Sequence, residues 1–201
     1  MRLRTFEEYQ AAYEKSIRDP EAFWSEIAAG FDWRKPWKQV LEWNFREPQV
    51  KWFLGGSLNI TENCLDRHLE SQGDKVAYTW ESNNPDEASR VITYRELHDQ
   101  VCRFANVLKR NGASTGDRIC IYMPMVPEAA IAMLATAAIG AIWSGCSPDF
   151  GDDALYDRFS QIQPKLLIGA EQVRYNGRLH SLSDRLQRLS ARLAGHPPLV
   201  R

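Results

Sequence analysis

Three short apolar runs, RICIYM (118–123), AIWSG (141–145) and KLLIG (165–169), recur in the second half of the chain with helical patterns between them. Strands that alternate with helices at this spacing join as β-α-β units, and the link between two parallel strands is almost always a right-handed crossover. The first intervening segment opens at Pro127, and PEAAIAMLATAAIG is apolar on nearly every face, so a fully buried helix is expected. A second helix is expected over 152–163. A third, from Ser181, sets Leu182, Leu186, Leu189 and Leu193 along one face before Gly195 and Pro197-Pro198 stop it. Leu199-Val200-Arg201 then reads as the start of another strand, which leaves the last helix short of a sheet partner on one side. The expected fold class is α/β: an incomplete doubly wound, mainly parallel sheet, interrupted at the end, with an uncovered edge open to self-association.

Upstream, KVAYTWE (75–81) and RVIT (90–93) flank the turn-rich SNNPDEAS and read as a hairpin. Thr93 and Glu96 have the spacing of a capping box, and Leu97, Val101, Phe104 and Leu108 repeat at helical intervals up to Asn111-Gly112. Residues 5–30 read as two short helices, the second with Asp19 as N-cap and Pro20 at its first position. The stretch 33–53 carries Trp33, Trp37, Trp43, Phe45, Trp52 and Phe53 together with Pro36 and Pro48, which argue against a long helix. It is either an arm that lays its rings on a larger body or a small satellite core. The expected organisation is an aromatic-rich helical arm over 1–58 and a β-α body over 59–201.

The net charge of −1, from 25 basic and 26 acidic side chains, gives no long-range field for nucleic acid or an anionic membrane. No apolar run approaches the ~18 residues of a membrane span, and MRLRTFEEYQ has no apolar stretch behind its charges, so the expected setting is cytoplasmic. Cys64, Cys102, Cys120 and Cys146 are widely spaced, which predicts buried thiols and neither a zinc site nor a disulfide framework. The chain has no G-x-x-x-x-G-K-[ST] and no G-x-G-x-x-G, and Gly55-Gly56 precedes no β-α unit. A doubly wound sheet binds ligands at the carboxyl ends of its strands, which directs attention to 123–125, 144–151 and 169–177.

No catalytic residue and no metal ligand is assigned. His68, beside Asp66 and Arg67, has no nucleophile placed next to it and is read as a surface turn. In VRYNGRLH, Arg174 and Arg178 flank Asn176-Gly177, a turn suited to a phosphate held by guanidinium and backbone N–H groups; a solvated face accounts for the same residues equally well. For Arg185, Arg188 and Arg192 the solvated face of an amphipathic helix suffices.

The segments WFLGGSLNITENCLDRHL (52–69), VITYRELHDQV (91–101) and GDRICIYMPMVPEAAIAMLATAAIGAI (116–142) resemble, in order and separation, the start of the acetyl-CoA synthetase family of AMP-forming acyl-CoA ligases. From WSGCSPDFGDDALYDRFSQIQPKLLI onward, through YNGRLH, the resemblance is to acetoacetyl-CoA synthetases of the same adenylate-forming superfamily, so acetate and acetoacetate both stand as substrates. The resemblance implies a two-step ligase in which a carboxylate attacks the α-phosphate of Mg-ATP and the CoA thiol then attacks the acyl-adenylate. The family's phosphate loop, acyl pocket, adenine contacts and adenylation lysine lie outside residues 1–201. The expectation is therefore a chain inactive alone, with ATP, Mg and CoA serving a longer parent and CoA phosphates alone addressed here. The family's R-x-G-R/K turn, which contacts the CoA nucleotide, matches V-R-Y-N-G-R with one extra residue, making Arg174, Gly177 and Arg178 the candidates, with either arginine as counterpart. The rival expectations are a non-catalytic binding module that pairs through its sheet edge and a poorly folding remnant.

Overall fold

The computed structural model describes residues 3–200, so Arg201 lies outside the described residues. The chain divides into two compact units, Met1–Asn63 and Cys64–Arg201.

In the first unit, α1 (Phe6–Arg18) is capped by Thr5, whose side chain accepts from Glu8 N, and buries none of its residues. Asp19 caps α2 (Pro20–Ala28) by accepting from Ala22 N at 3.0 Å, as its sequence predicts, and Phe23 and Ala28 are buried. The aromatic stretch forms an antiparallel hairpin, β1 (Gln39–Asn44) with β2 (Gln49–Leu54), which periodicity alone did not reveal. Trp33, Trp37 and Phe53 pack into a cluster of their own, with ring centroids 4.8, 5.4 and 5.3 Å apart, and Trp33 Nε1 donates to the Ala28 carbonyl at 2.8 Å. A β-carbon on Gly56 would stand 2.7 Å from the Trp33 ring, which explains a glycine there. The unit closes on the short α3 (Ile60–Cys64), where the buried Asn63 amide exchanges hydrogen bonds with the Asp32 backbone at 2.7 and 2.9 Å.

The second unit, after the short α4 (Leu69–Gln72), opens with the hairpin β3 (Val76–Trp80) and β4 (Arg90–Thr93). The capping box of Thr93 and Glu96 is present and starts α5 (Tyr94–Arg110). Then follow β5 (Arg118–Tyr122), α6 (Pro127–Ala138), β6 (Ile142–Cys146), α7 (Asp152–Ser160) and β7 (Leu166–Gly169). A second hairpin, β8 (Gln172–Tyr175) and β9 (Arg178–Ser181), precedes α8 (Ser183–Arg192) and β10 (Leu199–Val200). Four strands form one parallel sheet in the order β10-β7-β5-β6.

Alternation along the central strand assigns each residue to a layer. Ile119 and Ile121, with their partners Leu166 and Ile168, meet α5 through Leu97, Val101 and Leu108 and α6 through Ile131 and Ala135. Cys120 and Tyr122, with Leu167, meet α7 through Leu155 and Phe159 and α8 through Leu186 and Leu189. The chain is thus α/β with helices on both faces of a parallel sheet, and each fully buried aliphatic side chain contributes about 1.5–3 kcal/mol.

Two expectations are corrected here. α6 buries Ile131, Ala132, Ala135 and Thr136 on its sheet side, but Met133 is 38% exposed, because one layer covers one face. Only Cys120 and Cys146 are buried; Cys64 and Cys102 are exposed, and all four are thiols. Among the described residues no helix is long and apolar enough to cross a membrane.

Candidate functional site

Strand order determines where a cleft can open. From β5 the chain moves to β6 on one side and then crosses back to β7 on the other, so connections leave the carboxyl ends of β5 and β7 in opposite directions. A cleft of about 1110 Å³ opens there. Its walls are Pro124–Val126 after β5, Ser147–Asp149 after β6, the β8–β9 hairpin after β7, and the loop from Trp80 to Glu87. The three segments singled out from the sequence all contribute.

The Trp80 indole donates to the Met125 carbonyl at 3.0 Å and the Tyr78 hydroxyl to the Pro127 carbonyl at 3.4 Å, which ties the β3–β4 hairpin to the wall after β5. The β8–β9 hairpin turns on Asn176 (φ +47°) and Gly177 (φ +72°), the paired positive angles that a two-residue turn joining twisted strands requires. Cross-strand partners share a face, so Arg174 goes with Leu179, and Arg178 goes with Tyr175 on the other face. Arg174 lines the cleft; Gly177 and Arg178 do not. Both arginines are exposed.

Arg185, which the sequence placed on a solvated face, also lines the cleft. Its Nε sits 2.7 Å from Asp152 Oδ1, and its Nη1 donates to the Tyr122 hydroxyl at 2.7 Å and to the Phe150 carbonyl at 3.3 Å. Tyr122, fully buried at the end of β5, donates its hydroxyl to the Pro148 carbonyl at 3.1 Å. The Tyr122 hydrogen bond is the main cause that raises the Arg185 guanidinium above its ordinary value. The Arg188 hydrogen bond, at 2.9 Å, is the main cause that holds the Asp152 carboxyl below its ordinary 3.8, with the charges of Arg185 and Arg188 adding to it. Arg192 pairs with Asp153 at 3.3 Å on the exposed surface, where such a bridge contributes about 0–1 kcal/mol. Asp152-Asp153 at the start of the preceding helix announces anions for a basic helix to meet, but Arg188 and Arg192 pair with the same two residues, so no local signal separates Arg185 from its neighbours.

Elsewhere, His98 Nε2 lies 3.2 Å from Asp66 Oδ1 and 3.4 Å from Cys102 Sγ. The Cys102 sulfur is nearest that same ring nitrogen and lies 4.0 Å from Nδ1, too far for a proton relay between thiol and carboxylate. Burial is the main cause that pushes the Cys102 thiol up, with the charges of Asp66 and Asp99 adding to it, the reverse of an activated nucleophile. His68, in a single helical turn (Asp66–His68), packs beside Tyr94 with the rings tilted by 58° and their centroids 5.5 Å apart.

Residues 65–197 match the model of the AMP-binding enzyme family, and residues 9–64 match that of the acetyl-coenzyme A synthetase N-terminus. Among curated relatives, an acetyl-coenzyme A synthetase of Bdellovibrio bacteriovorus is 52% identical over 161 residues, 80% of this chain and 25% of the relative. One of Methylobacterium radiotolerans is 45% identical over 199 residues, 96% of this chain and 31% of the relative. The solved acetoacetyl-CoA synthetase of Streptomyces lividans superposes with a TM-score of 0.87 at 31% identity, over 95% of this chain and 29% of that one. The chain therefore spans between a quarter and a third of the length of these proteins.

Proposed function

The chain belongs to the AMP-binding enzyme family, and from that premise we propose that it serves as the N-terminal part of an AMP-forming acyl-CoA ligase, contributing contacts to the phosphates of CoA. The observation that carries this reading is Arg174: a guanidinium on the wall of the switch-point cleft with no ion-pair partner among the described residues. An unpaired guanidinium beside a hairpin with exposed backbone fits a phosphate better than a carbonyl or an apolar group. The cleft of about 1110 Å³ is large enough for a nucleotide, and Tyr175, Val126 and Leu179 supply apolar surface for a base. Arg178 and Gly177 keep a role in this proposal at the hairpin tip, where Gly177 allows the turn and Arg178 can meet a phosphate that extends past the cleft.

In the two-step reaction, ATP with Mg²⁺ would supply the adenylyl group that activates the carboxylate, with pyrophosphate as the leaving group. Among the described residues no group of three His, Cys, Asp or Glu side chains is set to hold a metal, so we propose no Mg²⁺ site on them. The chain's own contribution is to bind and orient the thiol-bearing cofactor, and positioning of this kind is a large part of such catalysis. Acetate and acetoacetate both stand as acyl substrates: the curated relatives named above are acetyl-coenzyme A synthetases and the superposed structure is an acetoacetyl-CoA synthetase. The setting proposed is the cytoplasm, in keeping with four cysteines present as thiols. Self-association through an uncovered sheet edge is part of the same reading; the sequence places that edge beside the last strand, β10, and at the other edge β6 exposes Ile142 and Trp143 with no Lys, Pro or bulge to blunt it.

The test is calorimetric titration with CoA and with dephospho-CoA. Arg174→Ala should weaken CoA binding about tenfold, the loss expected when one charge-assisted hydrogen bond goes. Arg178→Ala should weaken it less. Equal affinity of wild type and Arg174→Ala would remove the basis of the proposal.

A further inference from the structure

The second guanidinium on the cleft, Arg185, differs from Arg174 in one decisive respect: its charge is already answered by Asp152 at 2.7 Å. Its Nη1 also donates to the Tyr122 hydroxyl at 2.7 Å and reaches the Phe150 carbonyl at 3.3 Å and the Pro148 carbonyl at 3.5 Å. The loop it reaches, 147–151, has few bonds of its own: Phe150 N to the Ser147 carbonyl at 3.2 Å, the Ser147 hydroxyl to Asp149 at 2.8 Å, and Asp149 N to the Ser147 hydroxyl at 3.5 Å. Pro148, which brings no N–H, has its carbonyl fixed from below by Tyr122 at 3.1 Å. The Tyr122 hydroxyl gives its proton to that carbonyl and accepts from Arg185, so both its functions are satisfied inside a buried layer.

The connectivity gives this small network its reach. Arg185 sits on α8, a short step past the β8–β9 hairpin; Asp152 opens α7, just past the loop; and Tyr122 ends β5 between them. One side chain thus bridges the two rims of the cleft at the point where the strands diverge. We infer that Arg185 is a positioning residue: acting through Tyr122 and Asp152, it holds loop 147–151 in place, so that the wall facing Arg174 is formed before any ligand arrives. A preformed wall spares the ligand the cost of ordering it. This inference rests on the cleft being the CoA-phosphate site proposed above, and its test keeps the two apart.

Hydrogen exchange of amides 149–151 is measured by mass spectrometry without ligand, and CoA binding by calorimetry, in wild type, Arg185→Met, Tyr122→Phe and Arg188→Gln. Arg188 shares Asp152 but touches no loop carbonyl. Arg185→Met and Tyr122→Phe should each speed loop exchange about tenfold and weaken CoA binding by a similar factor, with cooperative unfolding retained, while Arg188→Gln stays within about twofold on both counts. Unchanged loop exchange in Arg185→Met overturns the inference. So does faster exchange with unaltered affinity, or an equal effect from Arg188→Gln. Absence of CoA binding by the wild type overturns the cleft assignment instead, and the exchange measurement still decides whether Arg185 holds the loop.

Discussion

Side chains of one type take opposite roles here according to what surrounds them. Arg174 and Arg185 both line the cleft, yet one has no ion-pair partner among the described residues and the other is matched by Asp152 and hydrogen-bonded to a buried tyrosine. The cysteines divide in the same way. Burial, with the neighbouring Cys146 adding a little, pushes the Cys120 thiol from 9.0 up to about 12, whereas Cys64 and Cys102 are exposed. Because the folded state holds the Cys120 proton more tightly than the unfolded chain does, that residue's contribution to stability is complete below its ordinary 9.0 and is lost as pH climbs toward about 12. Titration with a thiol-specific disulfide reagent at neutral pH should therefore modify Cys64 and Cys102 in the native protein and reach Cys120 and Cys146 only on unfolding. Four thiols reacting at one rate would show that the α7–α8 layer is not closed over β5.

Elements with a local cause were legible in the sequence, the β3–β4 hairpin and the strands of the parallel sheet among them, and two further hairpins were not. The capping box at Thr93, the proline-led starts of α2 and α6 and the leucine stripe of α8 each have a local cause; the first three are where the pattern placed them, while α8 begins at Ser183, past the expected Ser181 that closes β9, with Leu182 and Leu193 flanking it. The hairpins β1–β2 and β8–β9 escaped because their residues do not alternate cleanly, although Asn176-Gly177 is a strong turn signal that could have exposed the second. The cleft wall was legible at Arg174, where spacing marked a turn with cations, but not at Gly177 and Arg178, marked with it, which do not line the cleft. It was illegible at Arg185, whose partners Tyr122 and Asp152 are far away in sequence and meet it only through the crossover. Gly169 shows the same limit: an added β-carbon there would collide with Leu186, a close approach of α8 to the end of β7 that no local pattern announces. The edge strand β6 supplies a test at this scale. Sedimentation of the wild type should show concentration-dependent association, and Ile142→Lys, a charge of the kind that guards natural edges, should suppress it. A wild type that stays monomeric at all concentrations would rule out the edge as a contact.

At the scale of the molecule, the two compact units divide near the boundary between the matched family models, at Asn63/Cys64 and at residues 64/65 respectively. The first unit has an aromatic cluster of its own; the second carries the parallel sheet and, on it, the cleft. The strand order creates the cleft, the hairpin after β7 brings Arg174 to its wall, and the Arg185–Tyr122 link reaches the wall after β6 through the Pro148 carbonyl. The most direct check is to map CoA by amide chemical shifts on the isotope-labelled 201-residue chain. The expected result is a set of perturbed amides confined to 123–126, 147–151 and 172–181, fading in Arg174→Ala. Shifts that concentrate in residues 3–63, or no shifts at saturating CoA, would contradict it.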